Sequence, residues 1–416
     1  MPLELPSTRL EAEELDRRDP LRRCREAFVL PDGVIYLDGN SLGPLPRSVV
    51  DRLDRVVTRE WGGDLIRSWN VNHWIDLPFR VGARIAPLIG AAGHEVVAVD
   101  STSVNLFKLL AAAMALRPDR RVILSEAGNF PTDLYIAEGL SAFADRGWEL
   151  RPVPSGDIAD SLDETVAVVM LTHIDYRSGR MHDMAALSRA ARDAGALMLW
   201  DLSHSTGAVP VDLNGAGADF AVGCGYKYLN GGPGAPAFLF VAERWHEVFR
   251  QPLTGWLGHA EPFAFEGGYR PASGVARAMC GTPPVLSLSA LDAALDIWDT
   301  VDMAAVRAKS LQLSDLFMRL VEPFCARFGM ALATPTAHAL RGSQVSLRHP
   351  EGFAVMQALI AGGIIGDFRE PDIVRFGFAP LYLRHVDIWD AAAGLLRILN
   401  DEAWRDEAFR QRATVT

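Results

Sequence analysis

The stretch WDLSHSTGAVPVDLNGAGADFAVGCGYKYLNGGPG, residues 200–234, decides the fold class, because it reads as strand, loop, strand, loop. Asp201 ends one apolar strand pattern, and Lys227 follows the next one. In open α/β sheets, ligands sit just beyond the carboxyl ends of the strands. We therefore expect both side chains at the ligand edge of a sheet.

Short strand patterns alternate with helical patterns on both sides of this stretch, from about residue 104 to residue 241. Such alternation is typical of βαβ units and predicts an α/β domain with a mainly parallel sheet. Several candidate strands are apolar throughout, as sheets buried on both faces require. The full set of candidate strands is residues 121–125, 149–152, 166–171, 197–201, 220–223 and 237–241. The candidate helices between them are residues 132–144 and 184–194, the second followed by a capping Gly195.

A Gly- and Pro-rich stretch, residues 257–284, precedes a change in the pattern. Helical patterns resume at residues 287–300 and 303–328, and strand-like and helix-like segments then alternate. This favours a smaller α+β domain after about residue 300. A chain of 416 residues also exceeds the roughly 250–300 residues at which single cores stop growing. We expect an N-terminal segment (1–60), a large domain (61–299) and a small domain (300–416).

Composition and charge exclude several classes of protein. The net charge of −11 argues against a nucleic-acid partner, whose phosphates need clustered Lys and Arg. The N-terminus is acidic and polar where a secretory signal is basic and then apolar, and no run approaches the roughly 18 apolar residues of a membrane span. The four cysteines lack a CxxC pair, and the histidines lack zinc-ligand spacing. We expect a cytoplasmic protein with reduced thiols, no metal site and no membrane contact.

Lys227 and Asp201 together indicate one kind of cofactor chemistry. A lysine amine forms an imine with the aldehyde of pyridoxal 5′-phosphate (PLP), and a carboxylate keeps the pyridine nitrogen protonated, so that the ring accepts electrons. Alone, each residue is more often a surface charge or a turn residue. Lys227, however, is flanked by Tyr226 and Tyr228 and followed by a glycine-rich run, which is not typical of a solvated face. The pair predicts a PLP site.

Three further segments bear on that site. DSTSVNLFK (100–108) leads into a helix starting near Val104, where hydroxyls and free N–H groups bind anions. Thr102 and Ser103 are thus candidates for the phosphate, although a plain N-cap fits the pattern equally well. In NFPTD (129–133), Phe130 is a candidate to stack on the cofactor ring, with a place in the core as the alternative. DGNS (38–41) has the composition of a turn.

With these residues assembled, the sequence resembles the kynureninase family of PLP enzymes, which have the aspartate-aminotransferase fold. The resemblance covers nearly the whole chain. Its motifs are YLDGNSLG (36–43), IRSWN (66–70), STSVNLFK (101–108), NFPTDLYIAEGL (129–140), DLSHSTGAVPVDL (201–213), YKYLNGGPG (226–234), GWLGH (255–259), CGTPP (280–284) and RFGFAPLY (375–382). It implies a large domain with a mainly parallel sheet of the seven-stranded type, plus the smaller α+β domain.

The resemblance also implies a role for each candidate residue. Lys227 carries PLP, and Asp201 pairs with the pyridine nitrogen. The other implied cofactor contacts are Thr102, Ser103 and Tyr226 at the phosphate, Phe130 on the ring, and Asp133, Thr172 and His204 in the pocket. Trp256 and Thr282 are implied to contribute to a neighbouring subunit's site, which implies a homodimer with shared active sites. The N-terminal segment (1–60) is then expected to pack on the small domain and the dimer interface. Arg375 is implied to bind the substrate α-carboxylate with its guanidinium fork.

The implied reaction is hydrolytic cleavage of the Cβ–Cγ bond of L-kynurenine to anthranilate and L-alanine. Lys227 moves the substrate α-proton in this scheme, and Tyr226 is the candidate acid for the β-carbon. Thr282 resembles the bacterial type, which favours kynurenine over its 3-hydroxy form. The alternatives are an aminotransferase or a cysteine desulfurase on the same fold, and a protein that binds the cofactor without catalysis.

Overall fold

Thirteen strands form three sheets in the computed structural model, which describes residues 5–412. In chain order they are β1 (Ile35–Tyr36), β2 (Val96–Ala98), β3 (Val122–Glu126), β4 (Glu149–Val153), β5 (Val166–Thr172), β6 (Leu197–Asp201), β7 (Phe220–Gly223), β8 (Phe238–Val241), β9 (Ala331–Leu332), β10 (Gln344–Arg348), β11 (Ile364–Ile365), β12 (Asp367–Arg369) and β13 (Ile373–Gly377).

Twelve α-helices surround the sheets within this range. They are α1 (Arg9–Arg18), α2 (Arg47–Arg55), α3 (Ser68–Val71), α4 (Leu77–Ile85), α5 (Thr102–Leu116), α6 (Pro131–Ala144), α7 (Met184–Asp193), α8 (Leu213–Ala216), α9 (Val285–Ala294), α10 (Met303–Cys325), α11 (Gly352–Ala361) and α12 (His385–Asn400). Between residues 5 and 412, no helix is long and apolar enough to cross a membrane.

The largest sheet has seven strands in the order β2-β8-β7-β6-β5-β3-β4. The strands from β7 to β4 run parallel, and β8 is antiparallel to both of its neighbours. This mainly parallel, seven-stranded α/β architecture confirms the predicted fold class. Because parallel strands end at the same edge, Thr172 at the end of β5 lies opposite Asp201 at the end of β6.

Alternate side chains of the central strands face two hydrophobic layers, as the two-residue repeat of a strand requires. In β5, Val168 and Met170 pack in the layer that contains Leu109 of α5. Val169 and Leu171 pack in the layer on the other face. All seven residues of β5 are buried, because helices cover both faces of the sheet.

The sequence placed most helices and strands close to their observed ends. The predictions for residues 197–201 and 220–223 coincide with β6 and β7. Gly195, after α7, has a φ of +78°, a left-handed conformation suited to glycine. The helix predicted to start near Val104 is α5, which begins two residues earlier, at Thr102, after the N-cap Ser101. The helix predicted over 287–300 is α9 followed by a 3₁₀ segment, Leu295–Thr300.

The C-terminal part of the chain has its own antiparallel sheet, in the order β12-β13-β10-β9. The N-terminal segment packs on this part, because α1 contacts α12 and β1 pairs in parallel with β11. The three predicted domain ranges stay a prediction. Residues 1–4 and 413–416 of the two outer ranges lie outside the described residues.

Candidate active site

Nine predicted site residues line one cavity of about 220 Å³ at the carboxyl edge of the large sheet. They are Thr102, Ser103, Phe130, Asp133, Thr172, Asp201, His204, Tyr226 and Lys227, and the lining also includes Thr132, Tyr176 and Ser203. Thr172 and Asp201 end β5 and β6, and Lys227 follows β7. The parallel sheet thus brings together side chains that are far apart in the sequence.

Lys227 supplies the amine of this cavity. The chain has three lysines, and the other two, Lys108 and Lys309, are buried in ion pairs with aspartates. Lys227 Nζ lies 3.0 Å from Nε2 of the buried His204. Burial and the nearby Lys227 charge lower the pKa of His204 well below its usual value. The imidazole is therefore neutral, and Nε2 accepts a hydrogen bond from Nζ.

Asp201 and Asp133 form a pair of buried carboxyl groups at the cavity. Oδ1 of Asp201 accepts hydrogen bonds from the N–H and the hydroxyl of Ser203, at 2.8 and 2.6 Å. Oδ2 of Asp133 lies 3.3 Å from Oγ1 of Thr172. Burial raises the pKa of both carboxyls, and the Asp201 charge raises that of Asp133 further. Such a pair favours a cationic neighbour, such as a protonated ring nitrogen.

The start of α5 gives the cavity an anion-binding wall. Ser101 is the N-cap, and its Oγ accepts a hydrogen bond from the N–H of Val104 at 3.3 Å. The capping alternative therefore applies to Ser101, so that the hydroxyls of Thr102 and Ser103 are free of that task. Both residues line the cavity, where first-turn N–H groups and the helix dipole favour a phosphate.

Phe130 and His204 offer further contacts to a ligand. The Phe130 side chain is 41% exposed, and its ring meets Tyr176 edge to face with 5.2 Å between the centroids. Nδ1 of His204 is buried and has no hydrogen-bond partner among the described residues. A polar substituent of a ligand would satisfy this nitrogen. The amine, the carboxyl pair, the helix start and this imidazole nitrogen together fit PLP.

Trp256 and Thr282 lie outside the cavity of the single chain. Trp256 is 40% exposed and packs edge to face against Phe263, with 5.5 Å between the ring centroids. The N–H of Leu257 donates to the carbonyl of Cys280 at 3.2 Å, which joins the two loops that carry Trp256 and Thr282. Their contribution to a neighbouring subunit stays a prediction.

Arg375 lies on β13 and adjoins the cavity through Tyr176. Its Nε donates to Oδ1 of Asp367 at 2.7 Å, and Nη2 donates to Oδ2 of the same carboxylate. Nη1 donates to the backbone carbonyl of Tyr176 at 2.6 Å, and Tyr176 lines the cavity. The side chains of Arg375 and Asp367 are both almost fully buried. The guanidinium is thus fixed next to the cavity rather than within its lining.

Sequence reasoning missed the residues around Arg375. Residues 38–41 form the predicted turn, with the N–H of Ser41 donating to the carbonyl of Asp38 at 2.9 Å. The Ser41 hydroxyl, however, also donates to Oδ2 of Asp367 at 2.7 Å and accepts from Nη2 of Arg375 at 2.9 Å. The available signal was the segment DGNS (38–41) directly after the apolar run of residues 34–37.

Two family models match the chain. The class-V aminotransferase model matches residues 35–326, and the kynureninase C-terminal domain model matches residues 306–395. A kynureninase of Burkholderia mallei (strain ATCC 23344) is 57% identical over 414 residues, which are 98% of this chain and 100% of the relative. A kynureninase of Pseudomonas fluorescens is 52% identical over 415 residues, which are 99% of this chain and 100% of the relative.

Solved structures show a similar fold. One is a C-DES variant with glycine covalently linked to its PLP cofactor, with a TM-score of 0.77 and 17% identity over 89% of this chain and 98% of that one. Another is the cysteine desulfurase of Thermococcus onnurineus NA1, with a TM-score of 0.72 and 19% identity over 91% of this chain and 98% of that one. At such identities the likeness shows the fold alone. Because the relatives above match almost end to end at more than half identity and both family models agree with them, the chain belongs to the kynureninase family.

Proposed function

We propose that this chain uses PLP to cleave the Cβ–Cγ bond of L-kynurenine by hydrolysis, which yields anthranilate and L-alanine. The observation that carries the proposal is the cavity shared by Lys227 and the buried carboxyls of Asp133 and Asp201. Family membership supports the substrate, since relatives at 52% to 57% identity are named kynureninase.

The residues of the cavity divide the task of holding the cofactor. Thr102 and Ser103 bind the phosphate with their hydroxyls and first-turn N–H groups. Asp201, with Asp133 beside it, keeps a proton on the ring nitrogen. Lys227 Nζ is the attachment point. PLP, when bound, accepts the electron pair released at the substrate during bond cleavage.

Lys227 and Tyr226 then move protons. Once released from the cofactor, the Lys227 amine takes the substrate α-proton, and the neutral His204 holds Nζ by the 3.0 Å contact. Water adds to the γ-carbonyl of the substrate. Burial, reinforced by Cys224 and Asp201, raises the pKa of Tyr226, so that its hydroxyl keeps its proton at neutral pH. The Tyr226 hydroxyl gives that proton to the β-carbon.

Replacing Tyr226 with phenylalanine should lower kcat for anthranilate formation by about 10²- to 10⁴-fold, the usual contribution of a positioned acid. Steady-state kinetics measures this loss, and fluorescence titration measures PLP affinity in parallel. Tyr135→Phe is the matched control, because Tyr135 is 65% exposed on α6 and should be replaceable without loss. Full turnover with normal PLP affinity in Tyr226→Phe would show that Tyr226 is not the acid that protonates the β-carbon.

The proposed activity is tested by mixing the PLP-loaded protein with L-kynurenine and recording anthranilate fluorescence. We expect fluorescence to appear together with equimolar L-alanine. Comparison with 3-hydroxykynurenine should give the higher kcat/KM for kynurenine, as Thr282 indicates. A keto acid as the sole product would show that the chain is an aminotransferase, and the proposal would be wrong.

The desulfurase alternative requires a nucleophilic thiol beside the cofactor. In the described chain no cysteine lines the cavity. Burial raises the pKa of the Cys224 and Cys325 thiols, and this disfavours the thiolate that a desulfurase needs. The structural likeness to desulfurases therefore reflects the shared fold.

We also infer a homodimer with shared active sites and a cytoplasmic location. Trp256, Phe263 and Phe265 are 40%, 63% and 78% exposed and lie together. An exposed aromatic group of this kind is typical of an interface. The four cysteines are free, which agrees with a reducing compartment.

A further inference from the structure

Five polar side chains form a cluster between the N-terminal turn and the small sheet, which we call the Asp367 cluster. Its members are Asp38, Ser41, Asp367, Arg369 and Arg375. Oδ2 of Asp367 accepts hydrogen bonds from Ser41 and Arg369, each at 2.7 Å, and from Arg375. One carboxylate thus binds two guanidinium groups.

Asp38 is the member of the cluster whose hydrogen bonding is incomplete. Its Oδ1 is buried and, within residues 5–412, has no hydrogen-bond partner. Burial and the charge of the adjacent Asp367 carboxylate both act on the Asp38 carboxyl. Oδ1 of Asp38 can therefore take up a proton without the loss of a hydrogen bond in the cluster.

The cluster shares a wall with the cavity of Lys227. The N–H of Gly43, at the end of the turn, donates to the carbonyl of Tyr226 at 2.8 Å. Arg375 donates to the carbonyl of Tyr176, which lines the cavity. A charge that enters the cavity at Tyr176 therefore acts on the Asp367 cluster through Arg375.

The charges of the cluster determine the net charge around a substrate carboxylate that binds at Arg375. Arg369 and Arg375 carry two positive charges, and ionised Asp38 and Asp367 carry two negative ones. A third carboxylate would leave an excess buried negative charge, which is costly. If Asp38 is protonated instead, Asp367 and the arriving carboxylate balance the two guanidinium groups.

We propose that Asp38 takes up a proton when the α-carboxylate of an amino acid binds at Arg375. The inference rests on the proposed function, in which Arg375 holds that carboxylate. Asp38 is in this sense a positioning residue, since it acts on the substrate through Arg375 rather than by contact.

The titration behaviour of the cluster supports the proposal. Burial and the adjacent Asp367 carboxylate raise the pKa of Asp38 to about 7. Burial acts on Asp367 in the same direction, but the charge and hydrogen bonds of Arg375 outweigh it and lower the pKa of Asp367. Tyrosines also face Asp38 from the surrounding segments, and burial raises their pKa values, so that they stay neutral; they are Tyr36, Tyr228 and Tyr382. Asp38 is thus the group that changes charge near neutral pH.

The direction of the pH effect follows from this order of pKa values. Below about pH 7, Asp38 already holds its proton, and the carboxylate binds without proton uptake. Above it, binding must protonate Asp38, and this step alone lowers the affinity about tenfold per pH unit.

Titration of the PLP-loaded protein with L-alanine tests the proposal without turnover. The dissociation constant is followed by absorbance from about pH 6 to pH 9, and calorimetry in two buffers of different ionisation enthalpy counts protons. We expect the affinity of the wild-type protein, relative to that of Asp38→Asn, to fall about tenfold per pH unit above about pH 7. At high pH, the wild-type protein should also take up about one proton more than Asp38→Asn. At low pH, the two proteins should take up the same number of protons. The ligand amine releases the same number of protons with both proteins, so its contribution cancels in the difference between the two proton counts.

Control variants separate this effect from a general change in the small sheet. Asp372→Asn removes a carboxylate that pairs with Arg348 at 3.0 Å on the same sheet, and it should keep the wild-type pH profile. Asp38→Glu should restore part of the pH dependence. If Asp38→Asn does not fold, ethylamine replaces the variant: it has no carboxylate, so the wild-type protein should bind it without the extra proton.

Equal pH slopes and equal proton counts in the wild-type protein and Asp38→Asn would overturn the inference. So would the same proton uptake with ethylamine as with L-alanine. Failure of the proposed function gives a different result, since a protein that forms no anthranilate but shows the Asp38-dependent proton uptake would keep this inference and lose the other.

Discussion

Replacing Lys227 with alanine should lower the rate of anthranilate formation on the order of 10⁴-fold or more. The variant loses both the attachment point of the cofactor and the base for the substrate α-proton, two contributions that act on the same steps. No other lysine can take over, because Lys108 and Lys309 are 0% and 5% exposed in their ion pairs. Single-turnover fluorescence of anthranilate measures the loss.

Lys227→Arg is the companion variant. It keeps a positive charge, but arginine does not lose its proton near neutral pH, so the variant should be as inactive as the alanine variant. Added methylamine should restore part of the rate in Lys227→Ala, where it has room to enter, and not in Lys227→Arg. A rate within tenfold of the wild-type protein in either folded variant would contradict the role of Lys227.

Replacing Arg375 with leucine should raise KM for L-kynurenine by roughly 10²-fold and also destabilise the fold. Loss of one partner from a buried charged pair costs about 2–5 kcal/mol in binding and about 3–5 kcal/mol in folding. The folding effect should lie near the lower end, because Arg369 still donates to Asp367 at 2.7 Å. Steady-state kinetics and urea unfolding measure the two effects.

The double variant Arg375→Leu with Asp367→Asn separates binding from stability. Neutralising Asp367 removes the unbalanced buried charge, so the free energy of unfolding should recover in part. KM should stay high, since the guanidinium that binds the α-carboxylate is still absent. A KM that recovers together with stability would show that Arg375 acts on the fold rather than on the substrate.

Local patterns in the sequence identified the centre of the site. The strands that end at Asp201 and precede Lys227 are apolar and flanked by loop residues, and these local features persist in β6 and β7. Thr102 and Ser103 were candidates for the same kind of reason, because hydroxyl residues at a helix start have a local physical role. The sequence did not say which hydroxyl caps the helix. The observed bond from the N–H of Val104 assigns the cap to Ser101, and phosphate binding by Thr102 and Ser103 stays a prediction.

The surroundings of Arg375 were not predictable in this way. Asp38 and Ser41 meet Asp367 and Arg375 across more than 320 residues of sequence. The pairing that brings them together joins β1 to β11, strands of two residues each. Strands of this length have no periodicity to detect, and long-range pairing leaves no local pattern. The acid–base partners of the arginine therefore emerged only from the structure.

The scarcity of lysine has a practical consequence for chemical labelling. Amine-reactive reagents need an accessible, unprotonated amine. Lys108 and Lys309 are buried and form ion pairs with aspartates, so they do not meet this condition. In the folded protein such a reagent should modify Lys227 ahead of any other side-chain amine, and a ligand in the cavity should protect it. The N-terminal α-amino group also reacts, so the mass added to the peptide that contains Lys227 would count functional sites. Aldehydes such as excess PLP should leave the arginine-rich surface unmodified.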